Sequence, residues 1–313
     1  MLARSPRGRG SPGERWLACQ RVRTGVSSTS MGSKPLHHVR PPVVAGAFYP
    51  AGDEALRDVV QRCLAEAAPP PTPGVLRALV VPHAGYVYSG PIAGTAYAVL
   101  ARTSPPPERI LLLGPSHFAA FGGLALPEAD GFQTPLGIVP LDPLAATLLE
   151  RFPRVTRLEK AHRREHSLEV QLPFLQSVLA PGFTVLPLAV GLARPAEVAE
   201  VIEFGWSVPG TGVVVSTDLS HYLPAEEARA VDARTSRLVV AEDVERLDPE
   251  MACGYHPLAG LMLAAKRRGF SIALLDLRNS GDTAGDADRV VGYGAFAVLE
   301  GGPAAPGGGE ARA

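Results

Sequence analysis

Three apolar runs of this chain each end in a histidine: Leu79-Val80-Val81-Pro82-His83, Leu111-Leu112-Leu113-Gly114-Pro115-Ser116-His117, and Val213-Val214-Val215-Ser216-Thr217-Asp218-Leu219-Ser220-His221. Each reads as a buried strand that stops and hands its imidazole to the turn beyond. Open α/β sheets bind ligands outside the carboxyl ends of their strands, so the three histidines are expected to converge on one site. Five of the eight histidines, His83, His117, His166, His221 and His256, sit in compact polar clusters, and taken singly each reads as a hydrogen-bonded structural histidine. Taken together, with three of them past strand ends, they read as a metal or proton-transfer site, because neutral imidazole is the commonest metal ligand and a nearby carboxylate fixes its tautomer. Asp218, three residues before His221, is a candidate for that partner.

Further candidates are weaker. Cys253-Gly254-Tyr255-His256-Pro257 brings the only cysteine close to a histidine near a helix start, where a thiolate is stabilised by the helix N-terminus or a metal. A small packing residue accounts for Cys253 equally well, and the local sequence leaves both readings open. His162 and His166 have the i, i+4 spacing of a helical metal pair, beside Glu165 and Glu169. They form no HExxH, and His162 reads as a solvated helix start. The chain has neither a GxSxG elbow nor a GxxxxGK[ST] phosphate loop, which argues against serine hydrolases and P-loop enzymes. A GxGxxG match at Gly8–Gly13 has no strand before it and no helix after it, so it is not a dinucleotide site.

The elements that must position these residues alternate. Strands are expected at 76–81, 110–113, 183–190, 212–216, 271–277 and 290–299, and helices at 53–67, 91–101, 142–151, 195–205, 225–246 and 257–268. Pro173 should kink or begin a helix in 165–179. Cys63 falls on the apolar face of the first helix and reads as packing. The pattern predicts an α/β fold with a largely parallel central sheet flanked by helices.

Composition sets the frame. With 313 residues, 46% of them hydrophobic, the chain can fill a sizeable core. No run of about 18 apolar residues and no apolar stretch after the N-terminal arginines appears, so neither membrane nor secretion is expected, and the cytoplasm is the default. Three cysteines without CxxC spacing make neither a disulfide framework nor a zinc ribbon. Residues 1–40 are rich in Arg, Gly and Ser and read as a disordered basic tail, with Met31 as an alternative start; 41–300 form a single domain, and 301–313 a disordered end. The tail holds eight Lys/Arg against Glu14, leaving the body at about −8, which argues against a nucleic-acid groove.

Six clusters carry a resemblance: Gly46-Ala47-Phe48-Tyr49-Pro50, Pro82-His83-Ala84-Gly85-Tyr86, Gly114-Pro115-Ser116-His117, Glu165-His166-Ser167-Leu168-Glu169, Ser216-Thr217-Asp218-Leu219-Ser220-His221 and Cys253-Gly254-Tyr255-His256-Pro257. In this order they look like the successive motifs of the Memo family, over nearly all of residues 41–300. In bacteria and archaea the family is also called AmmeMemoRadiSam system protein B, and its fold is similar to that of class III, LigB-type extradiol dioxygenases, which are non-haem iron enzymes. The resemblance implies a metal faced by His83, His117 and Cys253, and a functional link to AMMECR-like and radical SAM proteins. It also implies that His221 is an acid/base residue with Asp218 beside it. The related dioxygenases use two histidines and a carboxylate. Cys253 departs from that pattern, and a thiolate suits zinc or copper(I) as well as iron(II). The animal relative is described as a signalling protein that binds phosphotyrosine peptides and metal. Three readings follow: an iron-dependent oxidoreductase of unknown substrate, a non-catalytic peptide or small-ligand binding module, and a zinc-dependent hydrolase.

Overall fold

A computed structural model describes residues 36–302. Its elements in chain order are β1 (Val39–Arg40), α1 (Asp53–Ala65), β2 (Val75–Val81), α2 (Tyr86–Leu100), β3 (Arg109–Pro115), β4 (Leu124–Leu126), β5 (Gly131–Thr134), β6 (Gly137–Pro140), α3 (Leu144–Arg151), β7 (Val155–Arg157) and α4 (Glu159–His162). There follow α5 (Leu172–Val178), β8 (Thr184–Val190), α6 (Pro195–Ser207), β9 (Thr211–Ser216), β10 (His221–Leu223), α7 (Ala225–Val240), α8 (Tyr255–Arg268), β11 (Ser271–Asn279) and β12 (Val290–Glu300).

The uninterrupted apolar runs become strands buried on both faces. In β2, Leu79 and Val81 point into a core with Leu56, Ile92, Tyr97 and Phe174 from α1, α2 and α5. Ala78 and Val80 point the other way, against Val198 and Ile202 of α6 and Leu258 and Leu261 of α8. This two-residue alternation between two apolar layers explains why such a strand needs no polar positions.

The main sheet has the order β10-β12-β2-β9-β3-β8-β4-β7, with β11 paired to β12, and a small sheet joins β1, β5 and β6. The centre, β2-β9-β3-β8, is parallel as expected. Its flanks are not: β12 runs antiparallel to β2 and β11, and β4 to β8. The β11–β12 link is shorter than the roughly dozen residues a crossover needs, so those strands must return as a hairpin.

Three expectations move. The helix expected over 225–246 ends at Val240, with Ala241 at its C-cap. The helix after β2 begins at Tyr86 and not at residue 91, with Pro91 inside it. Proline removes one backbone bond there, while the earlier start buries Tyr86 with its hydroxyl donating to Val170 O at 2.5 Å. The tail boundary drawn at residue 40 also moves, because Val39 and Arg40 pair with β5 and Arg40 is only 3% exposed. The remainder of the tail expectation, residues 1–35, and residues 303–313 lie outside the described residues. No helix among the described residues is long and apolar enough to cross a membrane.

Candidate metal centre

Parallel pairing brings the strand ends together. Val81 of β2 lies opposite Ser216 of β9, and Leu113 of β3 opposite Val215, so the turns beyond all open on one side. There they line a cavity of about 900 Å³ with His83, His117, His166, Asp218, His221 and Cys253 on its wall. Convergence therefore holds for all three strand-end histidines.

His83 is buried and fixed twice over. Its backbone N–H donates to Asp218 Oδ1 at 2.7 Å, and its Nδ1 lies 2.9 Å from Ser216 Oγ. The Ser216 hydroxyl spends its one proton on Ser167 O at 2.7 Å and accepts from Gln171 Nε2 at 2.9 Å. That hydroxyl can only accept from His83, so the network assigns the proton to Nδ1 and leaves a lone pair on Nε2. Cys253 Sγ sits 3.3 Å from that nitrogen. Burial, with the neighbouring histidines, holds the imidazole pKa well below its ordinary value.

His117 is oriented by a different device. Its backbone N–H and its Nδ1–H both donate to the Glu165 carboxylate, at 2.6 and 2.9 Å, so the proton sits on Nδ1 and Nε2 is again bare. Glu165 Oε1 also accepts from the backbone of His166 and Ser167, each at 2.9 Å. Burial alone would raise this carboxyl, but these donors outweigh it and hold the pKa at about 2. Gly114 makes the approach possible, since a Cβ there would fall 2.8 Å from Ser167 Oγ.

His166, expected to pair with His162, instead completes a group with His83 and His117. Its ring stacks on His117 with centroids 4.7 Å apart, and donor atoms of His83, His117 and His166 all lie within 4.8 Å of one another. No strand precedes His166, so the strand-end signal passed it over. Its pairing with His162 does not occur at the site: His162 is buried elsewhere, with Nε2 on Ala125 O at 2.8 Å. His256 does not line the cavity.

Cys253 stands before α8, and its Sγ accepts from the Asp218 N–H at 3.3 Å. Burial and the Asp218 charge push the thiol up to about 12. Burial likewise raises Asp218 to about 7 against the bonds it accepts from His83 and Ala84. His221 lies on the exposed β10 side of the cavity, outside the three-histidine group, and burial of its ring lowers its pKa. The carboxylate partner expected for it in Asp218 is replaced by a carbonyl: Nδ1 donates to Leu219 O at 2.8 Å, leaving Nε2 able to accept a proton.

Comparison with known proteins places the sequence in a family. The family model described as Memo-like protein matches residues 40–297. A MEMO1 family protein of Methanopyrus kandleri is 38% identical over 283 residues, covering 84% of this chain and 99% of that protein. One from Nitrosopumilus maritimus is 34% identical over 277 residues, covering 83% and 100%. A crystal structure of an uncharacterized Escherichia coli K12 protein overlaps 70% of this chain and 99% of its own at a TM-score of 0.44 and 16% identity, too loosely to bear on function. With the family model spanning the whole domain and relatives matched almost end to end, the chain belongs to the Memo-like family.

Proposed function

We propose that this protein holds a metal ion through His83, His117 and Cys253 and works as a non-haem iron-type oxidoreductase on a small molecule or peptide admitted to the cavity. Two observations support this reading: donor atoms of His83, His117 and His166 lie within 4.8 Å of one another, a group that does not include Cys253, and the Cys253 thiol reaches His83 Nε2 from the same cavity wall. Donors bound to a single ion at about 2.0–2.3 Å lie roughly 3–3.5 Å apart, and the 3.3 Å between His83 Nε2 and Cys253 Sγ fits that spacing. His166 is near enough to serve as a further nitrogen donor. Bound iron(II) would supply oxygen and redox chemistry; zinc or copper(I) also suits a set with thiolate and imidazole.

The remaining residues manage protons. His221, with Nδ1 committed to Leu219 O, accepts a substrate hydroxyl proton at Nε2. Asp218, with a carboxyl near 7 and Oδ2 3.9 Å from His83 Nε2, gives or takes a proton near neutrality. One observation favours a second reading, a zinc-dependent hydrolase: the N and S donors are those zinc prefers, with His221 then shuttling the proton of an activated water.

Metal analysis of protein purified without oxygen separates these readings. Iron at one equivalent, with oxygen-dependent turnover of catechol-like compounds, supports the oxidoreductase. Tightly held zinc with no such turnover overturns it in favour of the hydrolase. A protein that retains no metal overturns both.

A further inference from the structure

The segment carrying Glu165 and His166 follows no strand, and its helix α4 ends after four residues. Its shape must be fixed from outside, and Arg40 reaches it at more points than any other single side chain among the described residues. The buried guanidinium donates through three nitrogens: Nε to His162 O at 3.0 Å, Nη2 to Glu165 O at 2.6 Å and Nη1 to Glu169 Oε2 at 2.7 Å. Its face lies 4.8 Å over the Phe132 ring. Glu169 is fully buried and also accepts from the backbone of Val43 and Val44 and from the Tyr49 hydroxyl at 2.7 Å. Residues 40–49 thus tie down 162–169 at both ends and at the middle.

We propose that Arg40 is a positioning residue for the metal centre. By gripping the carbonyls on either side of the turn, it fixes the backbone from which Glu165 orients His117 and from which His166 stacks on it. The inference rests on the metal-binding reading above and adds to it a residue at the far side of the loop. A lysine at this position keeps the charge facing Glu169, but one ammonium cannot reproduce the planar fork that reaches two carbonyls as well. His83 provides a graded reference: Asp218 holds its backbone from the sheet, and its ring meets the segment only indirectly, through the Ser216 hydroxyl that donates to Ser167 O.

The test compares Arg40→Lys and Arg40→Ala with Leu148→Ala, which opens a cavity in the opposite core layer and touches nothing at the site. Nitrogen NMR shifts of the imidazoles in metal-free protein report their tautomers. In Arg40→Lys, His117, bonded directly to Glu165, is expected to lose its single Nδ1–H form to a greater extent than His83, which meets the segment only through Ser216. Cobalt(II) affinity should fall roughly 10- to 100-fold, the usual cost of losing support for a ligand. Leu148→Ala should leave both readouts unchanged. Removing one partner of a buried ion pair can prevent folding, so if Arg40→Ala does not fold, Arg40→Lys decides. Unchanged His117 shifts and cobalt affinity in Arg40→Lys overturn the proposal. So do equal losses in Leu148→Ala, which would make Arg40 a generic stabiliser. If wild-type protein binds no cobalt, the metal reading fails, while the His117 shifts still decide whether Arg40 positions that ring.

Discussion

The two sides of the centre are built by different means. His83 stands on the sheet, where Ser216 of the adjacent strand fixes its ring and Asp218 fixes its backbone. His117 and His166 lean on a loop, and a single carboxylate, Glu165, bonds His117 at ring and backbone and His166 at its backbone. The sheet side is set by backbone pairing that runs through the whole core. The loop side is set by charge, hydrogen bonds and a strap from the N-terminal segment. The first should therefore resist substitutions that disable the second.

The largest effect should come from the donors themselves. His83→Ala, His117→Ala and Cys253→Ala are each expected to abolish or strongly weaken binding of the same ion, and Cys63→Ala, buried in the α1 core, to leave it intact. A cobalt-substituted protein should show a sulfur-to-metal charge-transfer band that Cys253→Ala removes. If wild-type stoichiometry survives in Cys253→Ala but not in His166→Ala, the third donor is the imidazole and the thiol only packs. His221→Ala should keep its metal while turnover slows roughly 10²- to 10⁴-fold.

Supporting residues test the contrast directly. Glu165→Gln is expected to cost about 10- to 100-fold in metal affinity, because the amide cannot accept from all the donors that converge on the carboxylate. Ser216→Ala should cost less, since Asp218 still holds the His83 backbone. Equal losses, measured by cobalt titration, would erase the distinction between the two sides.

Next in size is a pH effect. The Cys253 thiol, pushed up to about 12, keeps its proton at neutral pH until a metal replaces it. His83, held neutral by burial, releases none. Affinity should therefore fall up to about tenfold for each unit that pH is lowered, and Cys253→Ala should flatten the slope.

The smallest effect on the centre concerns His162, beneath the loop side. Burial holds this imidazole at about 4, so between about pH 6.5 and 4 the unfolded chain carries a proton that the folded chain refuses. Stability should fall as pH drops through that window, and His162→Gln should remove that part of the acid sensitivity in urea-unfolding titrations. The His83 side, whose supports are backbone pairing and a hydroxyl, should not loosen with it.

The sheet side was legible in the sequence for the same reason that it is rigid. An apolar run ending in Pro-His or Ser-His declares both the strand and the place where its side chain emerges, so His83 and His221 were found at strand ends, as was the position of His117 but not the Glu165 carboxylate that orients its ring. Long elements such as α6 and β8 fell within two residues of their expected limits. Strands of two to four residues, such as β1, β5 and β10, carry too few positions for a period and were missed. His166 and Glu165 were noted for their helical spacing with His162, but no strand end pointed them at His83 and His117, so their roles beside His117 were not legible. Arg40 was hidden by its company: among seven other basic residues it reads as tail, and only its buried partner, 129 positions away, marks it as core.

The pairing of Val81 with Ser216 has one more consequence. Strand register changes only in whole residues, and a slip of one would turn Ser216 toward the opposite layer and present Val215 or Thr217 to His83 instead. The sheet side of this site therefore cannot drift by degrees in the course of sequence change. It admits one arrangement or none, so adjustment of the centre to a new ligand or metal has to be made on the loop side, where distances can change continuously.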